Sequence, residues 1–277
     1  MGMSNLSPTQ WYGELMVRLR KALVFGGLAD RKYEGILTKG DKVIVSEISA
    51  VTVNDYTRYS GVTWQDADSV DKTLYIDQEK STSIWMDAVD LKQAAAGDVV
   101  SKYNQETAYA LANTIDAHLA SKYTEAGSTV TALTVSSSTV LKNLGDIAEK
   151  FNEDNVPMGD RWLPVPPWYQ NLIVQSTTGL ITYTAVPKVF DNGVLTSGWI
   201  GEIFGIQLLM SNNVNNNGTA WNLMAVSRDA LAFVGQISAV ESVKREDYFG
   251  EGIKTLYVYG AKTMRPNAMV TCAATKP

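Results

Sequence analysis

The stretch that decides the fold is residues 87–125, which read DAVDLKQAAAGDVVSKYNQETAYALANTIDAHLASKYTE. Apolar or weakly polar side chains recur in it at steps of three and four, at Val100, Tyr103, Thr107, Leu111, Ile115, Leu119 and Tyr123. This spacing predicts a single helix with one apolar stripe, capped by Asp87 or Asp90. Gly97 weakens the start, which leaves Asp98 as a later candidate cap. A helix of about 35 residues would be about 50 Å long, far longer than the average globular helix.

Two β-rich runs precede this helix. The first carries Val43, Val45, Ile48, Val51 and Val53 after a turn at Gly40-Asp41. The second, Thr73 to Met86, places Leu74, Ile76, Ile84 and Met86 at a period of two. The polar stretch Asn54 to Asp71 between them predicts a protruding hairpin. An isolated long hairpin is marginal in water, so we expect it to find support on another surface.

The N-terminal segment predicts a short amphipathic helix over Trp11 to Phe25, which Gly26 and Gly27 end. A charged, irregular stretch then runs to Gly35. A first segment of this kind is expected to lie over a neighbour rather than inside its own domain.

Elements after the long helix alternate between helix and strand. The patterns predict a helix over Ser136 to Asn152, capped by one of Ser136 to Ser138, a strand and proline turn over Trp162 to Pro167, and a helix over Trp168 to Gln175. They also predict strands at Ile203 to Ser211 and Leu223 to Val226, and a brief helix over Ser227 to Phe233. The last part, Ile237 to Cys272, is β-rich, and Ile253 to Tyr259 is apolar on both faces, as in a strand covered on each side. This order of elements indicates an α+β fold.

Composition narrows the function. The 277 residues are 45% hydrophobic and 19% charged, which is typical of a folded protein, and the net charge is −5. Proteins that bind the phosphates of nucleic acid usually carry a net positive charge. We therefore expect this protein to enclose any DNA without binding it tightly. No apolar stretch reaches the length of a membrane span, and the polar residues Met1 to Gln10 do not predict a signal peptide. The single cysteine, Cys272, is expected to be a small buried residue.

The sequence lacks the residues that the common catalytic sites require. His118 is the only histidine, and the chain has no G-x-S-x-G elbow for a serine triad. One histidine and one cysteine cannot build a tetrahedral zinc site of the usual ligands, and neither common phosphate-binding glycine motif is present. We therefore predict a protein that is not an enzyme and uses no cofactor.

The acidic group Asp66, Asp68 and Asp71 in the hairpin tip is the best chemical candidate. Oxygen-rich loops can hold calcium, but Val70 stands where an EF-hand pattern needs a third ligand. A solvated acidic loop is therefore favoured over a metal site. Trp64 beside it suits either an anchor that a neighbour buries or a side chain packed on its own hairpin.

Four passages resemble the major capsid proteins of tailed phages, which share the Hong Kong 97-type fold. They are Gly40-Asp41-Lys42-Val43 with Val53-Asn54-Asp55-Tyr56, Leu74-Tyr75-Ile76-Asp77-Gln78 with Ile84-Trp85-Met86, Arg161-Trp162-Leu163-Pro164-Val165-Pro166-Pro167, and Tyr248-Phe249-Gly250 with Tyr257-Val258-Tyr259-Gly260-Ala261. The resemblance implies an N-terminal arm (1–35), an extended β-hairpin loop (36–86), a peripheral domain (87–135 with 236–277) and an axial domain (136–235).

The resemblance also implies a function. It predicts pentamers and hexamers that close into an icosahedral shell around double-stranded DNA, in a virion assembled in the host cytoplasm, with a separate scaffolding protein and a portal. Encapsulins share the fold, so an encapsulin-like compartment is the alternative. A hydrolase that uses acidic residues, with or without a metal at the hairpin tip, and a tail or decoration protein are more distant alternatives. The predicted contacts between subunits are Trp11, Tyr12, Trp64, Asp66, Asp68 and Asp71.

Overall fold

The long helix is present as α2, Ala96–Ser121, and a 3₁₀ turn over Lys122–Glu125 follows it. At 1.5 Å per residue, its 26 residues span about 39 Å. Its buried face repeats at steps of three and four and consists, among the described side chains, of Asn104, Thr107, Ala108, Leu111, Ala112, Ile115, Asp116, Leu119 and Ala120. The predicted stripe is thus confirmed at Thr107, Leu111, Ile115 and Leu119, whereas Tyr103 is exposed.

Residues 89–95, near the predicted start of the helix, lie outside the described part of the chain. Asp87 is the last residue of a β-strand and pairs with Gly250, and the amide of Ala88 donates to the carbonyl of Phe249 at 3.1 Å. Asp98 lies inside α2 and does not cap it, whereas Asp87 directly precedes Ala88, which is helical. The strand extends to Asp87 because a distant strand supplies its hydrogen-bond partners, which the local pattern does not show.

The computed structural model describes residues 15, 23–34, 42–48, 52–62, 64–66, 69–88, 96–176, 199–244 and 247–277. Asp90 lies outside them, as does most of the predicted helix Trp11 to Phe25. The helices are α1 (Phe25–Leu28), α2 (Ala96–Ser121), α3 (Val140–Glu153) and α4 (Pro167–Gln175). The strands are β1 (Lys42–Ile48), β2 (Ser69–Tyr75), β3 (Gln78–Asp87), β4 (Ser128–Thr134), β5 (Arg161–Val165), β6 (Trp199–Ile203), β7 (Ile206–Met210), β8 (Trp221–Ser227), β9 (Leu231–Val243), β10 (Gly250–Thr263) and β11 (Met269–Thr275).

These strands form sheets of two, three and six strands. The pair β1–β2 is antiparallel, the three-stranded sheet has the order β3-β10-β9, and the six-stranded sheet has the order β4-β11-β8-β5-β7-β6. Parallel pairing is confined, among the named strands, to β4 with β11 and β5 with β7. The mixture of helices and mostly antiparallel strands confirms the α+β class.

The run predicted as one strand, Thr73 to Met86, is two strands with different partners. β2 pairs with β1, and β3 pairs with β10. The change occurs at Ile76 and Asp77. Alternation with a period of two is the same whichever strand lies alongside, so the pattern could not reveal the change.

Three further expectations differ from the structure. The 3₁₀ turn Arg228–Ala230 replaces the brief helix over Ser227 to Phe233, because β9 begins at Leu231 and pairs with β10. The residue before α3 is Thr139, and Ser136 contributes its backbone carbonyl, which accepts the amide of Val140 at 2.9 Å.

The third concerns the glycine pair. Gly26 and Gly27 lie within α1 instead of ending a helix. Their short turn is held by burial of Phe25 and Leu28 and by a carboxylate from α2, which outweigh the low helix propensity of glycine.

The two largest sheets join parts of the chain that are far apart in sequence. β4 and β11, which the resemblance places in the peripheral domain, hydrogen-bond into the same sheet as β5 and β8. One core cluster accordingly includes side chains from α2, α3 and both sheets. The division into peripheral and axial domains therefore stays a prediction.

Candidate assembly surfaces

The loop between β1 and β2 presents large apolar side chains to solvent. All the described residues of 52–66 are exposed. Its five large apolar side chains are between 62% and 102% exposed, and they are Val53, Tyr56, Tyr59, Val62 and Trp64. Scattered apolar residues are ordinary on a protein surface, but five exposed ones within twelve residues make this loop a candidate interaction site.

The loop has hydrogen bonds of its own. The amide of Ser60 donates to the carbonyl of Thr57 at 3.1 Å, which closes a turn at the tip. Tyr59 in this turn has a φ of 70°, a left-handed conformation that is uncommon for an aromatic residue. Nearer the base, the amide of Thr52 donates to the side-chain oxygen of Gln65 at 2.9 Å and links the two sides of the loop. Tyr59 is fully exposed at this turn.

The base of the hairpin is attached to the body of the subunit. Val43 of β1 and Leu74 of β2 are buried in a second apolar cluster with Ala232, Val234 and Met264. The ammonium of Lys72 also donates to the carbonyl of Met264. A packed base with an exposed tip is the arrangement expected of a strand pair that reaches another molecule.

The predicted contact residues fall into two groups. Trp64 is 89% exposed, so the alternative in which it packs on its own hairpin is wrong. Asp66 is exposed in the loop, and Asp71 is exposed on β2, where its backbone pairs with Ser46. Trp11, Tyr12 and Asp68 lie outside the described residues.

A second exposed aromatic group lies where β10 begins, and the contact prediction missed it. Tyr248 is 61% exposed and Phe249 is 87% exposed. The ring of Trp85 on β3 meets that of Tyr248 edge-on, with centroids 6.4 Å apart. Two adjacent aromatic residues before Gly250 could have predicted this group, because a turn between long strands places such side chains at the surface.

His118 has a structural environment. Its ring is half-buried and meets the ring of Tyr259 edge-on at a centroid distance of 5.5 Å. Burial, followed by the positive charge of Lys122, lowers the pKa of the imidazole, so the neutral form is favoured. Nε2 has no hydrogen-bond partner within the described part of the chain. This placement agrees with a structural histidine.

Cys272 is fully buried, as predicted. The side-chain amide of Asn143 donates to Sγ at 3.1 Å, and the hydroxyl of Tyr169 donates to Asn143 Oδ1 at 2.8 Å. Burial raises the pKa values of the Cys272 thiol and the Tyr169 hydroxyl, so both stay protonated at neutral pH. These three side chains link α3, α4 and β11 and form a polar network in the core.

The described residues show neither a metal-ion cluster nor a membrane-spanning helix. No group of three or more histidine, cysteine, aspartate or glutamate side chains in them is arranged to hold a metal ion. None of the helices described combines the length and hydropathy of a membrane span.

A family comparison decides the identity. The profile of a family described as "Phage capsid protein" matches residues 46–272, which is most of the chain. This chain belongs to the phage capsid protein family. The matched region of the capsid protein contains both exposed aromatic groups, the loop 52–66 and the pair Tyr248 and Phe249. No curated protein matches the sequence.

Solved structures show the fold of this capsid protein independently. A structure from Mycobacterium phage Che8 has a TM-score of 0.74 and 28% identity, with 90% of each chain covered. The capsid structure of cyanophage P-SCSP1u has a TM-score of 0.71 and 17% identity, covering 93% of this chain and 90% of that one. The Hong Kong 97-type fold predicted from the sequence is thereby confirmed.

A further solved structure has a similar fold. A virus-like particle from Pyrococcus furiosus has a TM-score of 0.60 and 12% identity, covering 95% of this chain and 98% of that one. At this identity the likeness concerns the fold alone. Together with the family match, the comparisons identify a structural protein of a phage capsid and do not favour the encapsulin-like alternative.

Proposed function

We propose that this capsid protein assembles as pentamers and hexamers into an icosahedral shell that encloses the double-stranded DNA of a tailed phage. The observation that supports it best is the exposed aromatic loop 52–66, carried on a packed base in a chain of the phage capsid protein family. Contacts between non-identical patches form rings when the rotation closes. Loop and body are two such non-identical patches.

In this proposal a neighbouring subunit buries the loop. Trp64 and Tyr59 are the central anchors, because large aromatic side chains dominate the binding energy of interfaces. Trp11, Tyr12, Asp66, Asp68 and Asp71 remain proposed contacts around them. Each contact can be weak, since a subunit that touches several neighbours gains from multivalency.

The protein would act without catalysis and without a cofactor. The environments of His118 and Cys272 support this, because one packs on an aromatic ring and the other is sealed in the core. The net charge of −5 supports containment of DNA without sequence-specific binding. Strong, salt-sensitive binding of DNA by purified subunits would contradict this part.

The remaining parts of the proposal concern domains and partners. We assign 1–35 to an arm, 36–86 to the extended loop, 87–135 with 236–277 to a peripheral domain and 136–235 to an axial domain. A separate scaffolding protein and a portal are the expected partners, and we propose that assembly takes place in the host cytoplasm.

Replacing Trp64 by alanine tests the loop. Loss of an interface anchor weakens a contact by about 2 kcal/mol or more, which is about 30-fold. We therefore expect Trp64→Ala to shift the chain from shells to free subunits in electron micrographs and sedimentation profiles. The urea midpoint of the free subunit should not change, because the side chain is 89% exposed.

The matched control is Trp64→Phe, which keeps an aromatic anchor and should still form shells. Normal assembly of Trp64→Ala would refute the role of the loop. The content of shells isolated from host cells separates the two readings of the fold, because a capsid holds DNA and an encapsulin-like compartment holds a co-encoded protein.

A further inference from the structure

A cavity of about 360 Å³ lies at the base of the hairpin. Lys72 of β2 lines one side of it, together with Arg265 and Pro266 from the connection between β10 and β11. Residues 154–157, which follow α3, line the other side. Both basic side chains interact within their own chain, and the ammonium of Lys72 donates to the carbonyl of Met264. A cavity of this size can enclose a small ligand or a few side chains of another molecule.

The carboxylates that line the cavity differ in what they contact. Asp154 accepts the hydroxyl of Ser128 at 2.6 Å, and Asp229 lies 3.7 Å from the ammonium of Lys32. Asp160 is exposed and has neither a hydrogen bond nor an ion pair with any residue that the structure describes. Asp160 is therefore the carboxylate of this cavity that is available to a second molecule.

The surface beside Asp160 is apolar. Pro157 lines the cavity, and the next residue, Met158, is 64% exposed. Met158 lies beside the turn between β6 and β7, since a Cβ added to Gly205 would be 3.7 Å from its Cβ. Phe204 in this turn is 53% exposed and has a φ of 54°, which is uncommon for an aromatic residue. Two large apolar side chains thus lie in solvent next to an unpaired carboxylate.

The tip of the loop 52–66 carries the complementary groups. Arg58 is the only basic residue between Lys42 and Lys72. It is exposed and has no hydrogen bond or ion pair within the described part of the chain. Tyr56 and Tyr59, on either side of it, are 70% and 102% exposed. A guanidinium between aromatic rings suits a carboxylate that has apolar neighbours, because it can bond the oxygens while the rings pack beside it.

The loop and the cavity lie at opposite ends of the same strand pair. The ladder of β1 with β2 runs from the pair of Lys42 and Tyr75 to the pair of Ile48 and Ser69, and the loop lies beyond the second pair. All the described residues of 52–66 are exposed, so this loop does not fill the cavity of its own subunit. A contact from the tip of one copy to the base of the next joins non-identical patches, and such contacts form rings when the rotation closes.

We propose that the tip of the loop 52–66 enters this cavity in a second copy of the chain. The guanidinium of Arg58 pairs with the carboxylate of Asp160, and Tyr59 packs on Met158 and Phe204. A second copy is the occupant because the loop supplies the cation that Asp160 lacks, and because the chain belongs to a family of capsid proteins. This inference rests on the proposed assembly into shells and adds the site that receives the loop.

Charge exchange tests the pair. Arg58→Glu and Asp160→Arg each place like charges against each other, so each should raise the protein concentration needed for assembly by about 10-fold or more. The double variant Arg58→Glu/Asp160→Arg restores opposite charges and should assemble close to the wild-type concentration. Arg58→Glu/Asp247→Arg is the matched control, because it has the same net charge but alters an exposed carboxylate outside the cavity, and it should stay impaired.

The wild-type protein separates this inference from the proposed function, since a wild type that forms no shells would count against the function itself. Where the wild type assembles, normal assembly of either single variant would overturn the pairing. A double variant that stays impaired, or a control that recovers equally, would overturn it as well. The urea midpoints of the free subunits should be unchanged, because Arg58 and Asp160 are both exposed.

Disulfide trapping gives a second measurement that does not depend on charge. Arg58→Cys/Asp160→Cys should form covalent oligomers when assembled shells are mildly oxidised, as seen on non-reducing gels. Arg58→Cys/Asp247→Cys should stay monomeric on the same gels. The native Cys272 is fully buried and does not compete. Absence of covalent oligomers in the first variant, or their equal formation in the second, would refute the placement of the loop in the cavity.

Discussion

Replacing Gly260 by alanine tests how β10 passes the junction between β2 and β3. A Cβ at this position would overlap the carbonyl oxygen of Tyr75 and lie 2.9 Å from its carbonyl carbon and 3.0 Å from Cα of Ile76. These are backbone atoms, so no side chain can rotate away to relieve the contact. The hairpin base would have to shift instead.

The expected cost follows from this geometry. Forcing an extra methyl group into a packed site usually costs about 1–3 kcal/mol, and backbone overlap belongs at or above the upper end. Alanine also restricts the unfolded chain, which returns about 0.4–1 kcal/mol. We therefore expect Gly260→Ala to lower the free energy of unfolding by about 2 kcal/mol or more.

Gly145→Ala is the matched control. It makes the same chemical change within α3, where an added Cβ meets nothing within 4 Å. Alanine is favoured over glycine in a helix by about 0.5–1 kcal/mol, so this variant should be slightly more stable than the wild type. Urea unfolding of the free subunit, followed by circular dichroism, measures both. Equal stability of the two variants would refute the role given to Gly260.

Two further predictions concern buried polar groups. Arg161 is 1% exposed, donates from Nε to the carbonyl of Pro157 at 3.1 Å and also bonds the carbonyl of Val156, so Arg161→Met should cost about 2–4 kcal/mol in urea unfolding. A loss below about 0.5 kcal/mol would contradict these bonds. Because burial lowers the pKa of His118, the unfolded chain takes up its proton first, and stability should fall as the pH drops from about 7.5 to about 6. His118→Gln should flatten the urea midpoints over this interval, and an unchanged slope would assign the effect to another group.

The candidate surfaces were predictable in part. The polar stretch before β2 with Trp64 inside it indicated an exposed loop, and the structure places this side chain in solvent. Tyr248 and Phe249 could not be predicted as a surface group, because nothing in a dipeptide reveals that it precedes one of two long paired strands. Arg161 and Asp116 carried no signal, since an isolated charged residue is usually at the surface.

Local spacing was enough to establish the long helix, its buried stripe and the strand that ends at Val165. Each of these depends on neighbours a few residues apart, where helical and extended periods differ. Contacts between distant residues decided the rest. β3 extends to Asp87 because β10 pairs with it, β2 and β3 separate because each has its own partner, and Gly26 and Gly27 form a helical turn because Asp116 accepts their segment's amides. No local pattern encodes a partner that lies far away in the chain, so the folded structure was needed to find these features.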